Sequence, residues 1–393
     1  MAEEVREAPI AVADVELEDL SSRLSGTRWP EREPVDDWGQ GARLANVQGL
    51  CEYWRDEYDW RRCEAMLNAW NPHRTTIDGV DFNFFHVRSP EADALPVVMT
   101  HGWPGSVIEF HKVVAPLTDP RAHGADPADA LHLVLPELPG FGFSSKPRDT
   151  AWKQFRMARA WAELMRRLGY GGRWAAQGGD WGGKVSAAIG TLAPPGCIGI
   201  HLNSVEYHPT REDAASADPE ARRVVARAEW YDKELSGYNK EQSTRPQTLG
   251  YALADSPAGQ AAWIYEKFHD WTDNTGQPES VFTYEEMLDN IMLYWLNNAG
   301  ASSARRYWEA VDDPAQNEQV HLPAALSMFP KDFDVPTRKG AERRFINLVR
   351  WGEPAAGGHF AAFEQPALFV EEVRAGLQAI RHFEGPSEGT TGR

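Results

Sequence analysis

The sequence has no run of about 18 consecutive apolar residues, so it offers no helix able to span a membrane. Cysteine is scarce. Cys51, Cys63 and Cys197 are too few and too scattered for a disulfide framework or a zinc site. Positive charge is short as well: 40 Lys and Arg stand against 58 Asp and Glu, a net charge of −18. That balance repels a phosphate backbone and argues against nucleic acid as a partner. The opening MAEEVREAPI has no apolar segment after a basic head, so no secretory signal is expected. A reducing, cytoplasmic compartment and no membrane association follow as expectations. Repeats are absent and low complexity is minor. At roughly 100–200 residues per domain, 393 residues suggest two or three units with ample core.

What is present is a rhythm that changes along the chain. Residues 14 to 70 read as helices, with apolar residues at helical spacing in ADVELEDLSSRL and NVQGLCEYWRDEYDWRRCEAMLNAW. TTIDGVDFNFFHV (75–87) is two β-rich runs joined by Asp78-Gly79, a hairpin signal. LPVVMT (95–100), LHLVLPEL (131–138), RWAAQ (173–177) and CIGIHLN (197–203) read as strands. WKQFRMARAWAELMRRL (152–168) and KVSAAIGTLA read as helices between them. Such alternation implies a parallel α/β sheet. From 206 to 322 it stops, and the chain is helical, polar and aromatic, like an insertion. RFINLVRW (344–351) and a helix around 366–382 restore it. The tail EGPSEGTTGR is expected to be disordered.

One stretch, QGGDWGGKVS from residue 177, admits two readings. From Gly178 it is nearly a phosphate-binding loop, but Val185 stands where Ser or Thr would hold magnesium, and Asp180 would repel the phosphate. It is also G-x-D-x-G, the hydrolase nucleophile elbow with aspartate in place of serine. The elbow needs a strand before, small residues at the turn and a helix after, and all three are present. The plainer alternative is a glycine-rich turn whose aspartate caps the helix.

An elbow nucleophile also needs an orienting acid, a histidine base and an oxyanion hole, with nucleophile, acid and histidine in that chain order. AAGGHFAAFEQP (355–366) offers His359 on a glycine-rich loop after the last strand. SMFPKDF (327–333) offers Asp332 after a short apolar run. THGWPGS (100–106) follows the strand LPVVMT and offers the Trp103 N–H as one oxyanion donor; the Trp181 N–H is the other. A cis peptide is expected at Trp103–Pro104.

HGWPGS, GGDWGG, LDNIMLYW, FPKD, GGHFAAFEQP and the N-terminal block YWRDEYDWRRCEAMLNAWNPHRTTIDGVDFNFFHV together resemble the microsomal-type epoxide hydrolases, from about residue 14 to 383. The resemblance implies an α/β-hydrolase core, an inserted helical cap, and an N-terminal helical meander with a β-hairpin. The corresponding segments are 1–90 (meander and hairpin), 91–205 (core, first part), 206–322 (cap) and 323–393 (core, second part). It implies hydrolysis of an epoxide to a vicinal diol without cofactor or metal. Carried over residue by residue, Asp180 is the nucleophile, His359 the base and Asp332 its acid partner. Tyr238, in SGYNKEQSTRPQT, and Tyr294, in IMLYW, match the two tyrosines that activate the epoxide oxygen. Tyr231, Tyr251, Tyr265 and Tyr307 stand next in line should either fail. Some relatives have Glu where Asp332 stands. The membrane anchor of animal microsomal members has no counterpart, so a soluble protein is expected. Bacterial relatives include natural-product tailoring enzymes, enediyne pathways among them. The expected partner is the small-molecule epoxide, and a homodimer is an allowed assembly.

The chemistry gives a reason for the aspartate. Serine attacking an epoxide carbon would leave an ether, which water does not readily cleave. Aspartate leaves an ester, whose carbonyl activated water can attack. A haloalkane dehalogenase also uses an elbow Asp followed by Trp, but commonly has Asn after the first HG, where Trp103 stands here. A non-catalytic receptor of the same fold need not keep the base. Trp230, Tyr231, Trp263, Tyr265, Phe268, Trp271, Phe282 and Trp295 crowd the insertion and suit an aryl or bulky apolar epoxide, although most are expected to pack cap against core.

Overall fold

The computed structural model describes residues 4–384, so the expectation of a disordered tail lies, past Glu384, outside the described residues. Nine strands occur among them: β1 (Arg6–Glu7), β2 (Pro72–Ile77), β3 (Val80–Val87), β4 (Leu95–Thr100), β5 (Leu131–Pro136), β6 (Trp174–Gly178), β7 (Cys197–Leu202), β8 (Ala324–Ser327) and β9 (Leu348–Gly352). They form one sheet in the order β1-β2-β3-β5-β4-β6-β7-β8-β9. Its first four strands pair antiparallel, and the rest are parallel. The apolar runs of β4 and β5 are buried along almost their whole length, as strands covered on both faces must be. Helices Gln154–Arg167 and Asp180–Leu192 pack together, and helix Pro366–Arg381 covers β7, β8 and β9. The β2–β3 turn puts Asp78 (φ 49°) and Gly79 (φ 78°) in the left-handed region that a two-residue hairpin requires.

Between the neighbouring strands β7 and β8 the chain forms helices only. These make a cap over the carboxyl ends of the parallel strands, where open α/β sheets place their sites. The N-terminal helices brace it. Leu44–Asp56 packs on Pro257–Asp270 and Tyr284–Trp295. Trp54 Nε1 donates to Met292 Sδ at 3.3 Å, and the Tyr58 hydroxyl and Arg62 guanidinium each donate to Asp289 Oδ1 at 2.7 Å. Trp54 is buried at this junction, and its truncation to alanine would cost about 3–5 kcal/mol.

Two local readings change. β1 is a polar, exposed pair of edge residues with no hydrophobic signal to read. RFINLVRW is not one strand: Phe345 makes an isolated bridge to Val320, Ile346 is exposed, and β9 begins only at Leu348. Among the described residues no helix is long and apolar enough to cross a membrane.

Candidate active site

β6 ends at Gly178, Gly179 caps, and the helix Asp180–Leu192 begins at once. The turn is so tight that Asp180 is held at φ 49°, a conformation non-glycine residues rarely adopt. Its neighbours must be glycine for a steric reason. A Cβ on Gly178 would lie 2.3 Å from the Gly182 backbone, and one on Gly182 would lie 1.8 Å from the Thr100 carbonyl oxygen. The elbow reading is therefore the one the backbone follows. Lys184, the lysine of the phosphate-loop reading, donates to Glu206 at 2.8 Å and lies 4.0 Å from the centre of the Trp181 ring.

The Trp103 N–H donates to Asp180 Oδ1 at 2.8 Å, and the Trp181 N–H also bonds this carboxylate. Both expected oxyanion donors thus converge on Asp180. The Trp103–Pro104 peptide is cis. His359 lies on the loop after β9, with Nδ1 2.9 Å from Asp332 Oδ1 and Nε2 3.8 Å from Asp180 Oδ2. Glu364 fixes that loop by accepting from the backbone N–H groups of Asp273, Gly358 and Phe360 at 2.8, 3.0 and 3.0 Å. The imidazole sits against the rings of Phe333 and Trp271.

The electrostatics follow from this packing. Burial opposes the imidazolium, but Asp332 first, then Asp180 and Glu109, outweigh it, and His359 is raised to about 9. Burial pushes the Asp180 carboxyl upward, while His359, Lys184 and the two amides pull it back. Glu109, beneath the oxyanion loop and absent from the sequence reading, is pushed up to about 8 by burial.

A cavity of about 400 Å³ opens over the nucleophile. Asp180, Trp181, Tyr238 and Tyr307 line its inner end. The Tyr238 hydroxyl shares a hydrogen bond with Tyr231 at 2.8 Å, and its ring stacks on Trp103 at 5.0 Å. Tyr294 is placed differently from the sequence reading. Its hydroxyl donates to the Gly105 carbonyl at 2.7 Å, and it is not among the residues lining the cavity. One turn earlier on the same helix, Asn290 donates to the Pro104 carbonyl at 2.8 Å, so the two side chains clamp the oxyanion loop. Tyr307, on helix Gly300–Ala310, lines the cavity. Its hydroxyl is buried beside the Trp181 and Tyr238 side chains without a close hydrogen bond, and its ring meets Trp181 edge-on at 4.8 Å. A sequence signal existed: Gly300, Ser303, Ala304, Tyr307 and Ala310 form a buried stripe at helical spacing.

Of the eight aromatics noted in the insertion, Tyr231 lines the cavity; Trp271, Phe268, Tyr265 and Phe282 are buried in packing, and Trp230 is 46% exposed. Polar side chains line the cavity as well, among them Lys184, Glu206, Arg227 and Asn239. Among the described residues no cluster of three or more His, Cys, Asp or Glu is arranged to hold a metal ion.

Comparison with known proteins agrees with this geometry. Residues 5–110 match the family model "Epoxide hydrolase N terminus", and residues 96–247 match "alpha/beta hydrolase fold". A Stigmatella aurantiaca protein whose name carries a provisional epoxide hydrolase assignment is 54% identical over 372 residues, 95% of this chain and 84% of that protein. The chain belongs to the epoxide hydrolase family. Epoxide hydrolase 1 of Sus scrofa is 32% identical over 405 residues, covering 95% of this chain and 88% of that protein. Among solved structures, the juvenile hormone epoxide hydrolase of Bombyx mori superposes with a TM-score of 0.88 at 27% identity, covering 97% of this chain and 95% of that one. The Aspergillus niger epoxide hydrolase gives 0.83 at 30% identity, covering 96% of each chain. The fold is an α/β-hydrolase core with an inserted cap, and the protein is an enzyme that hydrolyses epoxides. Family membership sets the dehalogenase and receptor readings aside.

Proposed function

We propose that this epoxide hydrolase works through an ester on Asp180. The carboxylate attacks a ring carbon of the epoxide. As that C–O bond forms, the ring C–O bond breaks, and the oxygen takes a proton from a phenol. Tyr307 and Tyr238 are the phenols, with Tyr307 in the role first given to Tyr294. The observation that carries this reading is the arrangement at the inner end of the cavity. The Asp180 carboxylate is held by two amides, and Tyr307 lines the same space with no close hydrogen bond tying up its hydroxyl.

In the second half, His359 Nε2 takes a proton from water and the hydroxide attacks the Asp180 carbonyl carbon. The Trp103 and Trp181 N–H groups bind the resulting oxyanion. The ester C–O bond then breaks, and the alcohol leaves with the proton from the imidazolium. The regenerated carboxyl yields its own proton to the imidazole, which restores the starting state. Asp332 holds the imidazole in place and stabilises its charge. The order of steps suits the electrostatics. In the free enzyme the Asp180 charge helps keep His359 protonated. Forming the neutral ester removes that charge, and the imidazolium passes its proton to the phenolate left by ring opening, so that His359 is a neutral base before water is activated.

The cavity also refines the substrate class. Its inner end, with Trp181, Tyr238, Tyr307 and Phe333, suits an apolar or aryl group. Its polar lining, with Arg227 and Asn239, suits hydrogen-bonding groups, as an epoxide in natural-product tailoring would carry. An amphiphilic epoxide therefore fits better than a wholly apolar one. Styrene oxide and a chloroalkane test the reaction class. Diol should form from the first, with no chloride from the second, and Asp180→Ala should abolish turnover. Chloride release dependent on Asp180 would contradict the reading.

A further inference from the structure

Lys267, on the helix Pro257–Asp270, is buried to 2% side-chain exposure. An ammonium taken out of water needs partners. Two are acids on its own helix: Glu266, in hydrogen-bond contact, and Asp270, with Oδ2 at 3.8 Å. Such a pair could as well sit on the surface, as Lys233 and Glu234 do. Instead the helix turns this lysine inward, among Ile264, Tyr265 and Phe268. There Nζ lies 4.8 Å from the centre of the Tyr238 ring and 5.7 Å from that of Trp271. Lys267 is not among the residues lining the cavity, whereas Tyr238 is. Of the two rings the ammonium lies against, Tyr238 is the one that lines the cavity.

We propose that Lys267 is a positioning residue for ring opening: its ammonium, held against the Tyr238 ring, favours the negative charge that builds on that phenol as its proton passes to the epoxide oxygen. The inference rests on the reading of Tyr238 as a proton donor. The remaining surroundings resist that charge. Burial, Tyr307, Tyr231 and Asp180 all hold the phenol well above its ordinary value. A cation at an aromatic face is attracted more strongly as the ring gains electron density, and at this depth the attraction is weakly screened. Trp103, stacked on the same ring at an interplanar angle of 5°, keeps it in register.

The test is a double-mutant cycle read in single-turnover alkylation by styrene oxide. Lys267→Met should slow alkylation roughly 10- to 30-fold while leaving hydrolysis of the ester within about twofold. In the Tyr238→Phe background the same substitution should change alkylation by less than about twofold, because the group it acts through is gone. Lys267→Arg keeps the charge and should stay closer to the parent than Lys267→Met does. If Lys267→Met does not yield folded protein, Lys267→Gln takes its place in the cycle. Equal slowing in both backgrounds, no slowing, or an Arg variant as slow as the neutral one would overturn the proposal. If Tyr238→Phe alone leaves alkylation unchanged, the reading of Tyr238 is what fails, and the two failures are told apart by that single measurement.

Discussion

The Tyr294 hydroxyl donates to the Gly105 carbonyl at 2.7 Å, which ties a cap helix to the oxyanion loop. This bond gives Tyr294 a structural place and leaves Tyr307 facing the nucleophile's cavity. The two tyrosines should therefore separate by assay. Tyr294→Phe leaves a buried carbonyl unpaired and should cost about 1–3 kcal/mol of stability, read as a lower Tm. Tyr307→Phe, whose hydroxyl makes no close hydrogen bond, should lower Tm less than Tyr294→Phe does. It should slow alkylation by roughly 10- to 1,000-fold. A Tyr294→Phe enzyme with intact Tm and lost alkylation would reverse the assignment.

His359→Gln should form the ester and fail to release it, because ring opening draws on Asp180 and the phenols. Intact-mass spectra after incubation with styrene oxide should show protein plus one substrate. Absence of any adduct would mean that His359 acts in the first step. Asp332→Asn should slow ester hydrolysis less than His359→Gln, since it disturbs the orientation and charge of the imidazole and leaves the proton acceptor in place.

The raised His359 has a consequence for stability. Its folded-state value of about 9 lies above the ordinary histidine value, so the imidazolium stabilises the fold most fully below about pH 6.5. That contribution falls away as pH rises from there through about 9. Asp332, the partner that does most to raise it, should thus matter more at low pH. The Tm penalty of Asp332→Asn should be larger at pH 6.5 than at pH 10. A penalty that grows with pH would show that His359 is not protonated beside Asp332 in the folded enzyme.

Gly182→Ala asks whether the elbow is as tight as it looks. The added Cβ would sit 1.8 Å from the Thr100 carbonyl oxygen, backbone against backbone, with no flexible side chain to yield. The variant should fail to accumulate as folded protein or lose several kcal/mol, more than the roughly 1–3 kcal/mol usual for overpacking. A stable, active Gly182→Ala enzyme would mean that β4 and the elbow stand further apart.

The parts legible in the sequence are those that short-range rules dictate. The elbow needs glycines at fixed offsets from Asp180 between a strand and a helix. The Trp103 loop must follow the end of β4. The His359 loop is marked by Gly357 and Gly358, and Gly357 adopts φ 109°. Each is marked by a short motif, even though Gly182 also answers to the Thr100 carbonyl on β4. The phenols depend on distant packing. Tyr294 and Tyr307 both lie on buried helix faces, and which one reaches the cavity is decided by the Gly105 carbonyl, some 190 residues earlier in the chain. The substrate wall was unreadable for the same reason. The sequence leaves open which aromatics line the pocket; Trp271 and Phe268 are among those that pack, with Phe333 and Phe360, behind the histidine.

The central claim is an ester on Asp180, and oxygen-18 water tests it directly. After one turnover of excess unlabelled enzyme in labelled water, the diol should carry the unlabelled oxygen once held by Asp180. Peptide mass spectrometry should then find the label in the Asp180 carboxylate, because the hydrolytic water attacks the ester carbonyl. Label in the first-turnover diol, with Asp180 unlabelled, would mean that water opens the epoxide directly and would contradict the account.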